Sequence, residues 1–407
     1  MNLCFIVGSL AISGGTYVIL QHASYLRDKG YKVTLAVQEP FTTETLAWHD
    51  EASKLRCLPI EQAKSESFDL VIATWWKTVF ELGNFNARRY SYFVQSIESR
   101  FYNASEVPLR ALVDATYKFP LEYVTEATWI QKYLKDNFGQ VSALVRNGIR
   151  KDVYTQTGVT CASRPTNGQP RVLVEGHFGV SFKNTALGIR LAKEAGAKNI
   201  WVLTGSSLRW LPGVSRIFSR VPMIKTPEIY RSCDILIKLS TVEGMFGPPL
   251  ELFHCGGTAV VFDVSGHDEY ICHGENALVL RTGDTDGVVS ALKELLANRT
   301  TLARLQEGAL KTANNWPSWQ DSSALFTQWV EKTLEGPGMD KSHFTSLTEQ
   351  AFAEYSDQEN QRLNIDRWIV RRHKLGAIAA RFPATWKLRV KQLEAVCEVL
   401  FGERKVK

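Results

Sequence analysis

The sequence has no stretch of about 18 uninterrupted apolar residues, which excludes an ordinary membrane-spanning helix. It has no C-x-x-C pair either. The seven cysteines, Cys4, Cys57, Cys161, Cys233, Cys255, Cys272 and Cys397, form an odd and scattered set. Such usage points to a reducing compartment and away from a disulfide or zinc framework. The eight histidines show no metal-ligand spacing, and low-complexity blocks are lacking. The chain enters Asn2-Leu3-Cys4-Phe5-Ile6-Val7 without a basic leader, so a signal peptide is not expected and the cytoplasm is the expected address.

What is present is the composition of an ordinary globular protein, 44% apolar and 22% charged, and 407 residues suit two domains. The net charge of +6 is uneven. From Gln361 onward there are twelve Lys and Arg against four Asp and Glu, a surplus of eight, which leaves the preceding 360 residues at −2. A body without its own basic face argues against nucleic acid as a partner.

Strand and helix patterns alternate, the mark of α/β architecture with parallel sheets covered on both faces. Strands are expected at Leu3–Val7, Tyr31–Val37, Phe68–Ala73, Tyr90–Val94, Leu121–Thr125 and Ser142–Val145, with helices between them such as Tyr17–Lys29, Val107–Phe119 and Trp129–Asn137. A Thr, Ser, Gly and Pro-rich stretch near 155–169 reads as a linker. The pattern then restarts with strands at Arg171–Glu175, Ile200–Thr204, Ile235–Leu239 and Thr258–Phe262. The expectation is two doubly wound Rossmann-like domains, 1–154 and 170–335, facing a central cleft, with a basic helical extension at 336–407.

The chemically informative passage is Ser240-Thr241-Val242-Glu243-Gly244-Met245-Phe246-Gly247-Pro248-Pro249-Leu250-Glu251. Glycines allow backbone to approach a ligand closely, and prolines can open a helix whose first amides have no internal partner. The amides of Met245, Phe246 and Gly247 then face an anion at the helix start. Glu243 and Glu251 can accept hydrogen bonds from vicinal hydroxyls over one cavity. The chemistry read from these residues alone is a polyol-phosphate pocket.

The whole passage resembles the E-x7-E signature of retaining glycosyltransferase family 4, of the two-Rossmann-domain type. The turn Cys255-Gly256-Gly257, the strand Thr258–Phe262, and the stretches Gly266–Ile271 and Gly274–Val279 continue the resemblance. It implies that Glu243 contacts the donor sugar and Glu251 the nucleotide ribose, with the Met245–Gly247 backbone near sugar or phosphate. It also implies a basic clamp on the diphosphate. Lys183 matches the clamp lysine, while His177 stands at the arginine position, so either His177 or a nearby arginine such as Arg209 completes the clamp. Gly205, after a strand, is a further donor-side candidate.

In the first domain, the loop containing Gly14 and Gly15 lies between a strand and a helix, where phosphate binding is favoured, but it is not G-x-G-x-x-G. Tyr92–Tyr102, with Gln95 and Glu98, and Ala73–Thr78, with Trp75, are similar to bacterial surface-glycan rhamnosyltransferases. That similarity implies Gln95 beside the transferred sugar and Trp75 and Glu98 on the acceptor side. The leading donor is dTDP-rhamnose, with UDP- or GDP-sugars, or an inactive sugar-binding scaffold, as alternatives. The acceptor is a glycan that can be lipid-linked.

No cofactor or metal is expected. Asp284-Thr285-Asp286 is a D-x-D string, yet its position before Gly287-Val288-Val289 is that of a helix cap. From Arg362 to Phe401 apolar residues recur among basic ones at helical spacing. This tail suits packing on the first domain, an anionic membrane surface, or an assembly partner.

Overall fold

A computed structural model describes residues 1–365 and 384–402. The chain divides into two compact units. The first comprises Met1–Ala47, Glu51–Arg146 and Ser323–Lys387, and the second Trp48–Asp50, Asn147–Ser322 and Leu388–Lys407.

The first unit holds a seven-stranded parallel sheet. Its strands are β1 (Asn2–Val7), β2 (Lys32–Val37), β3 (Arg56–Pro59), β4 (Ser67–Ala73), β5 (Asn86–Val94), β6 (Glu122–Thr125) and β7 (Ser142–Leu144), in the order β3-β2-β1-β4-β5-β6-β7. The central strands are apolar along their length because helices cover both faces. Phe5 pairs with Leu35 on one side and Ile72 on the other. Helix Gly14–Asp28 begins earlier than the apolar pattern suggests, because the Ser13 hydroxyl accepts from the Thr16 amide and caps it. Gly14 and Gly15 are therefore the first turn of a helix rather than a free loop.

The second unit repeats the plan with β8 (Val172–Glu175), β9 (Ile200–Thr204), β10 (Arg216–Ser219), β11 (Ile235–Lys238), β12 (Thr258–Phe262) and β13 (Ala277–Leu280), ordered β10-β9-β8-β11-β12-β13. Both sheets reverse direction beside their first strand, which is the doubly wound order, and ligands of such sheets sit beyond the carboxyl ends near that reversal. The edge strands β3 and β10 are not expected from the sequence. Each is four residues long and largely solvent-accessible, so neither carries an apolar run.

Three boundaries differ from expectation. Residues 155–169 are a strap packed on the second unit rather than a free linker. Arg164 donates to the carbonyls of Arg231, Cys255 and Gly256, and the Cys161 amide donates to Glu228 O. Trp48–Asp50 joins the second unit, where Asp50 pairs with Arg150 at 3.0 Å and the Met223 amide donates to Trp48 O. Residues 323–335, expected in the second domain, belong to the first. Phe326 is fully buried there, its ring stacked on His22 with centroids 4.2 Å apart and close to Phe5 and Phe93.

The tail divides between the units. Helix Ser342–Ile365 seats Phe344 and Ala351 in the first core, with Phe344 edge-on to Tyr90 at 5.1 Å. Helix Ala384–Phe401 seats Ala395 and Val399 in the second core, and Gln392 accepts from the Arg209 amide while donating to Trp210 O. Trp368, Ile369, Leu375, Ile378 and the basic residues Arg367, Arg371, Arg372, Lys374, Arg381, Arg404, Lys405 and Lys407 lie outside the described residues. No helix among the described residues is long and apolar enough to cross a membrane.

Truncating Phe326 removes a ring that joins helix Trp319–Glu335 to β1 and β5. Phe326→Ala is expected to destabilise the first unit by about 3–5 kcal/mol, read as an earlier urea transition of that unit. An unchanged transition would show that the 323–335 segment is not part of its core.

Candidate functional site

The E-x7-E passage folds at the carboxyl edge of the second sheet. After β11 the chain turns through 239–246 and enters helix Gly247–His254, whose first turn contains Pro248 and Pro249. Phe246, the residue before the helix, is fully buried, and the Tyr270 hydroxyl donates to its carbonyl. This anchor fixes the turn that carries Glu243. The Gly247 amide, expected to face an anion, instead donates to Met245 O at 3.0 Å.

Glu243 is 8% exposed. Lys183 Nζ donates to both of its carboxylate oxygens at 2.8 Å, and Lys238 Nζ lies 3.4 Å from Oε1. Lys238 also pairs with Glu175 Oε2. Negative and positive charges thus alternate along Glu175, Lys238, Glu243 and Lys183. Burial resists ionisation of Glu243, but the two ammonium groups outweigh it and hold the carboxyl down to about 2. Lys238 is pushed above its ordinary value: burial works against its charge, and Glu175 and Glu243 prevail.

Glu251, one turn into the helix, sits with the hydroxyls of Tyr230 and Tyr154. Burial raises its carboxyl to about 7, and the nearby Glu175 adds to the rise against the hydrogen bonds of the two tyrosines. Tyr154 is itself linked to Thr226 at 2.7 Å. Two glutamates eight residues apart therefore meet opposite environments, one paired with cations and one sheltered among phenols.

His177 packs against Gly205 so closely that a Cβ there would lie 2.2 Å from Cε1 of the ring. Burial lowers the His177 pKa, with Lys183, Lys238 and Arg220 adding to the effect, so the ring is neutral at pH 7. Arg209, the alternative clamp residue, has an exposed side chain. Arg220, which no sequence motif marks, holds φ at 53° and donates from Nε to Gly205 O at 3.3 Å. An arginine held in the left-handed region beside the donor-side glycine is a third clamp candidate.

In the first unit, three candidates from separate segments, Gly15, Trp75 and Gln95, come together at the carboxyl ends of β1, β4 and β5. Trp75 is half-buried over Gly8, where a Cβ would lie 2.7 Å from its ring, and Lys77 Nζ sits 4.8 Å from that ring's centroid. Gln95 lies against Gly15, and its Nε2 donates to Thr74 O at 3.4 Å. Its Oε1 is buried without a hydrogen-bond partner among the described residues. Gly14 is open, since a Cβ there would meet nothing within 4 Å. Glu98 points elsewhere. Its Oε2 accepts from the Trp76 amide at 2.7 Å and from the Tyr92 hydroxyl at 3.0 Å, inside a cage of tyrosines, and it is 5% exposed. It caps the turn that follows Trp75 from within, a place without access for an acceptor.

Asp284 accepts from the Gly287 amide at 2.9 Å and so caps helix Thr285–Ala297. Among the described residues, no three His, Cys, Asp or Glu side chains converge as a metal-ligand set. Lys238, Glu175, Tyr154 and Tyr230 join the site without being candidate site residues in the sequence. The one signal for Lys238 in the sequence is an ionisable residue ending the apolar strand Ile235-Leu236-Ile237.

Residues 211–312, which include both glutamates, match the family model described as "Glycosyl transferases group 1". The chain is 25% identical over 273 residues to the O-antigen biosynthesis protein RfbC of Myxococcus xanthus. That alignment covers 64% of this chain and 20% of RfbC, so the chain spans about a fifth of that protein. Among solved structures, the Anabaena protein Alr3699/HepE in complex with UDP-glucose superimposes with a TM-score of 0.64 at 14% identity, covering 82% of this chain and 100% of that one. WaaG, a glycosyltransferase involved in lipopolysaccharide biosynthesis, gives 0.60 at 12% identity, covering 80% and 99%. These likenesses agree with the two Rossmann-like α/β units described above.

Burial raises the Glu98 carboxyl from its ordinary 4.5 to about 8, against the hydrogen bonds from Trp76 and Tyr92. The folded state thus favours the protonated form. The stability this adds is full below pH 4.5 and is lost as pH rises through about 8. Glu98→Gln keeps a neutral acceptor at all pH values. Wild type and variant are expected to match at pH 4, and the variant to be more stable by on the order of 3 kcal/mol at pH 9, in urea titrations. Parallel pH curves would contradict the buried, protonated acid.

Proposed function

We propose that this chain is a retaining glycosyltransferase that takes a sugar from a nucleotide donor and adds it to a growing surface polysaccharide or glycan. The observation that carries this reading is the pairing of Glu243 with Lys183 beside the tyrosine-sheltered Glu251, at the carboxyl edge of a doubly wound sheet. The family match over 211–312 supports it.

The roles are those the family resemblance implies, and charge and position support them. Glu243, ionised, accepts hydrogen bonds from hydroxyls of the donor sugar. Glu251 does the same for the ribose, with Tyr154 and Tyr230 fixing its orientation. Lys183 and either His177 or Arg220 meet the diphosphate. Gly205 gives His177 room and keeps the backbone close to the donor. In the first unit, the resemblance assigns Gln95, with its unpartnered Oε1, to a sugar hydroxyl, the helix start at Gly14 and Gly15 to phosphate, and Trp75 to the acceptor.

In the reaction, the bond from the anomeric carbon to the phosphate oxygen breaks as the acceptor hydroxyl attacks from the same face. Negative charge grows on the leaving diphosphate, where Lys183 stabilises it, and that phosphate takes the acceptor's proton. Asp284 is committed to a helix cap, so we assign no metal to this chemistry. The leading donor is dTDP-rhamnose. A UDP-sugar is the second reading, favoured by the UDP-glucose complex of the Anabaena protein. The RfbC likeness favours a surface glycan as acceptor. The basic tail, on the cytoplasmic side, suits a lipid-linked acceptor at a membrane surface.

A panel of nucleotide sugars tests this reading, with binding followed by calorimetry and slow donor hydrolysis followed by product release. One donor is expected to bind selectively and to be hydrolysed, and Glu243→Ala to slow hydrolysis about a hundredfold or more. A chain that binds no nucleotide or nucleotide sugar is not this enzyme. Binding without turnover in wild type would support an inactive sugar-binding scaffold.

A further inference from the structure

Lys238 has no place in the roles assigned above, yet its position is demanding. It ends β11 after three residues that are fully buried, and its own side chain is 2% exposed. Taking an ammonium group out of water is costly unless acids compensate it. Two do. Ile237 and Val174 are register partners in neighbouring parallel strands, which brings Glu175 and Lys238 side by side at the carboxyl edge. There Lys238 pairs with Glu175 and reaches within 3.4 Å of Glu243.

Lys183 is held differently. It comes from the short 3-10 turn Ser181–Lys183, followed by Asn184 at φ 49°, and its side chain is 22% exposed. Glu243 therefore has one cation fixed in the sheet and one carried on a loop. A donor's diphosphate competes with Glu243 for the loop cation. When Lys183 is drawn away, a buried carboxylate without another partner takes up a proton and can no longer accept from two sugar hydroxyls.

We propose that Lys238, braced by Glu175, is a positioning residue that keeps the Glu243 carboxylate charged and aimed at the donor sugar when Lys183 turns to the diphosphate. This role rests on the transferase reading. Glu175 matters because it balances Lys238. The four charges sum to zero, while the most exposed member, Lys183, presents a positive end to an arriving anion. The charged groups facing Glu243 are Lys183 from its turn and Lys238 from β11, with Glu175 of β8 behind Lys238. Tyr230, Tyr270, His177 and Glu251 are further titratable groups in electrostatic reach of these four residues.

The test uses the full chain as wild type, Lys238→Met, Lys238→Arg and the double variant Glu175→Gln/Lys238→Met. The double variant removes a balanced pair and so avoids stranding one buried charge. Two readouts are taken: the pH profile of donor hydrolysis with kcat and KM separated, and the titration of the Glu243 carboxyl carbon by NMR, assigned against Glu243→Gln. In Lys238→Met and the double variant, kcat is expected to fall about tenfold or more while donor KM moves less than about threefold. The acid limb and the Glu243 titration should both move up by about one pH unit or more, because a charge that favours the carboxylate is gone. Lys238→Arg should recover most of the loss. An unmoved Glu243 titration in the double variant, or equal losses in Lys238→Arg and Lys238→Met, overturns the proposal. A wild type without donor turnover defeats the transferase reading, and the carboxyl titration still decides the role of Lys238.

Discussion

A carboxylate removed from water must be paired or must take a proton, and the second unit is organised around that constraint. Glu243 is kept ionised in a nearly closed site by Lys183 and Lys238, and Lys238 is kept there by Glu175. The sheet makes this arrangement possible. Parallel strands β8 and β11 end at the same level, so side chains 63 residues apart in sequence become neighbours at one edge. The buried Phe246 and the Tyr270 hydroxyl then fix the turn that brings Glu243 to the lysines. Replacing Lys238 strands Glu175 without its cation, whereas replacing Glu175 leaves Lys238 with Glu243, 3.4 Å away, as its remaining carboxylate.

The same edge gives its two glutamates different chemistry. Glu251 lies one turn into the helix that follows the Glu243 turn, among tyrosine hydroxyls, and its carboxyl is pushed up to about 7 while that of Glu243 is held down to about 2. In the proposed reading, the charged Glu243 meets the sugar as it develops positive character, and Glu251, near neutrality, meets a ribose, whose hydroxyls both donate and accept. In the first unit the corresponding edge is built differently, with glycines making room for side chains: Gly8 for Trp75 and Gly15 for Gln95.

Much of this is legible in the sequence because buried parallel strands are continuous apolar runs and helices between them keep a 3.6-residue period. The strands of the sheet centres are readable for that reason, whereas the edge strands Arg56–Pro59 and Arg216–Ser219, short and half-exposed, carry no such signal. Glu243, Glu251 and Lys183 are readable from a local motif. Lys238, Glu175, Tyr154 and Tyr230 are not, since their meeting depends on strand register and on the fold of the 147–154 segment rather than on spacing. Glu98 shows the reverse failure. Its sequence neighbours suggest an accessible acid, but the rings of Tyr92 and Tyr117 enclose it, and its carboxyl oxygen accepts from the Trp76 amide. The strap at 155–169 has the composition of a linker, and the arginine hydrogen bonds that pin it are invisible to composition.

The proposed chemistry requires a nucleotide diphosphate to bind at the carboxyl edge of the second sheet, against the Glu175–Lys238–Glu243–Lys183 line. Hydrogen–deuterium exchange of the full chain, with and without a saturating nucleoside diphosphate, measures this most directly. The predicted result is slower exchange, confined in the second unit to the segments around 175–185, 204–206 and 240–251. Exchange that is unchanged in those segments, or protection concentrated in the basic tail, would contradict it.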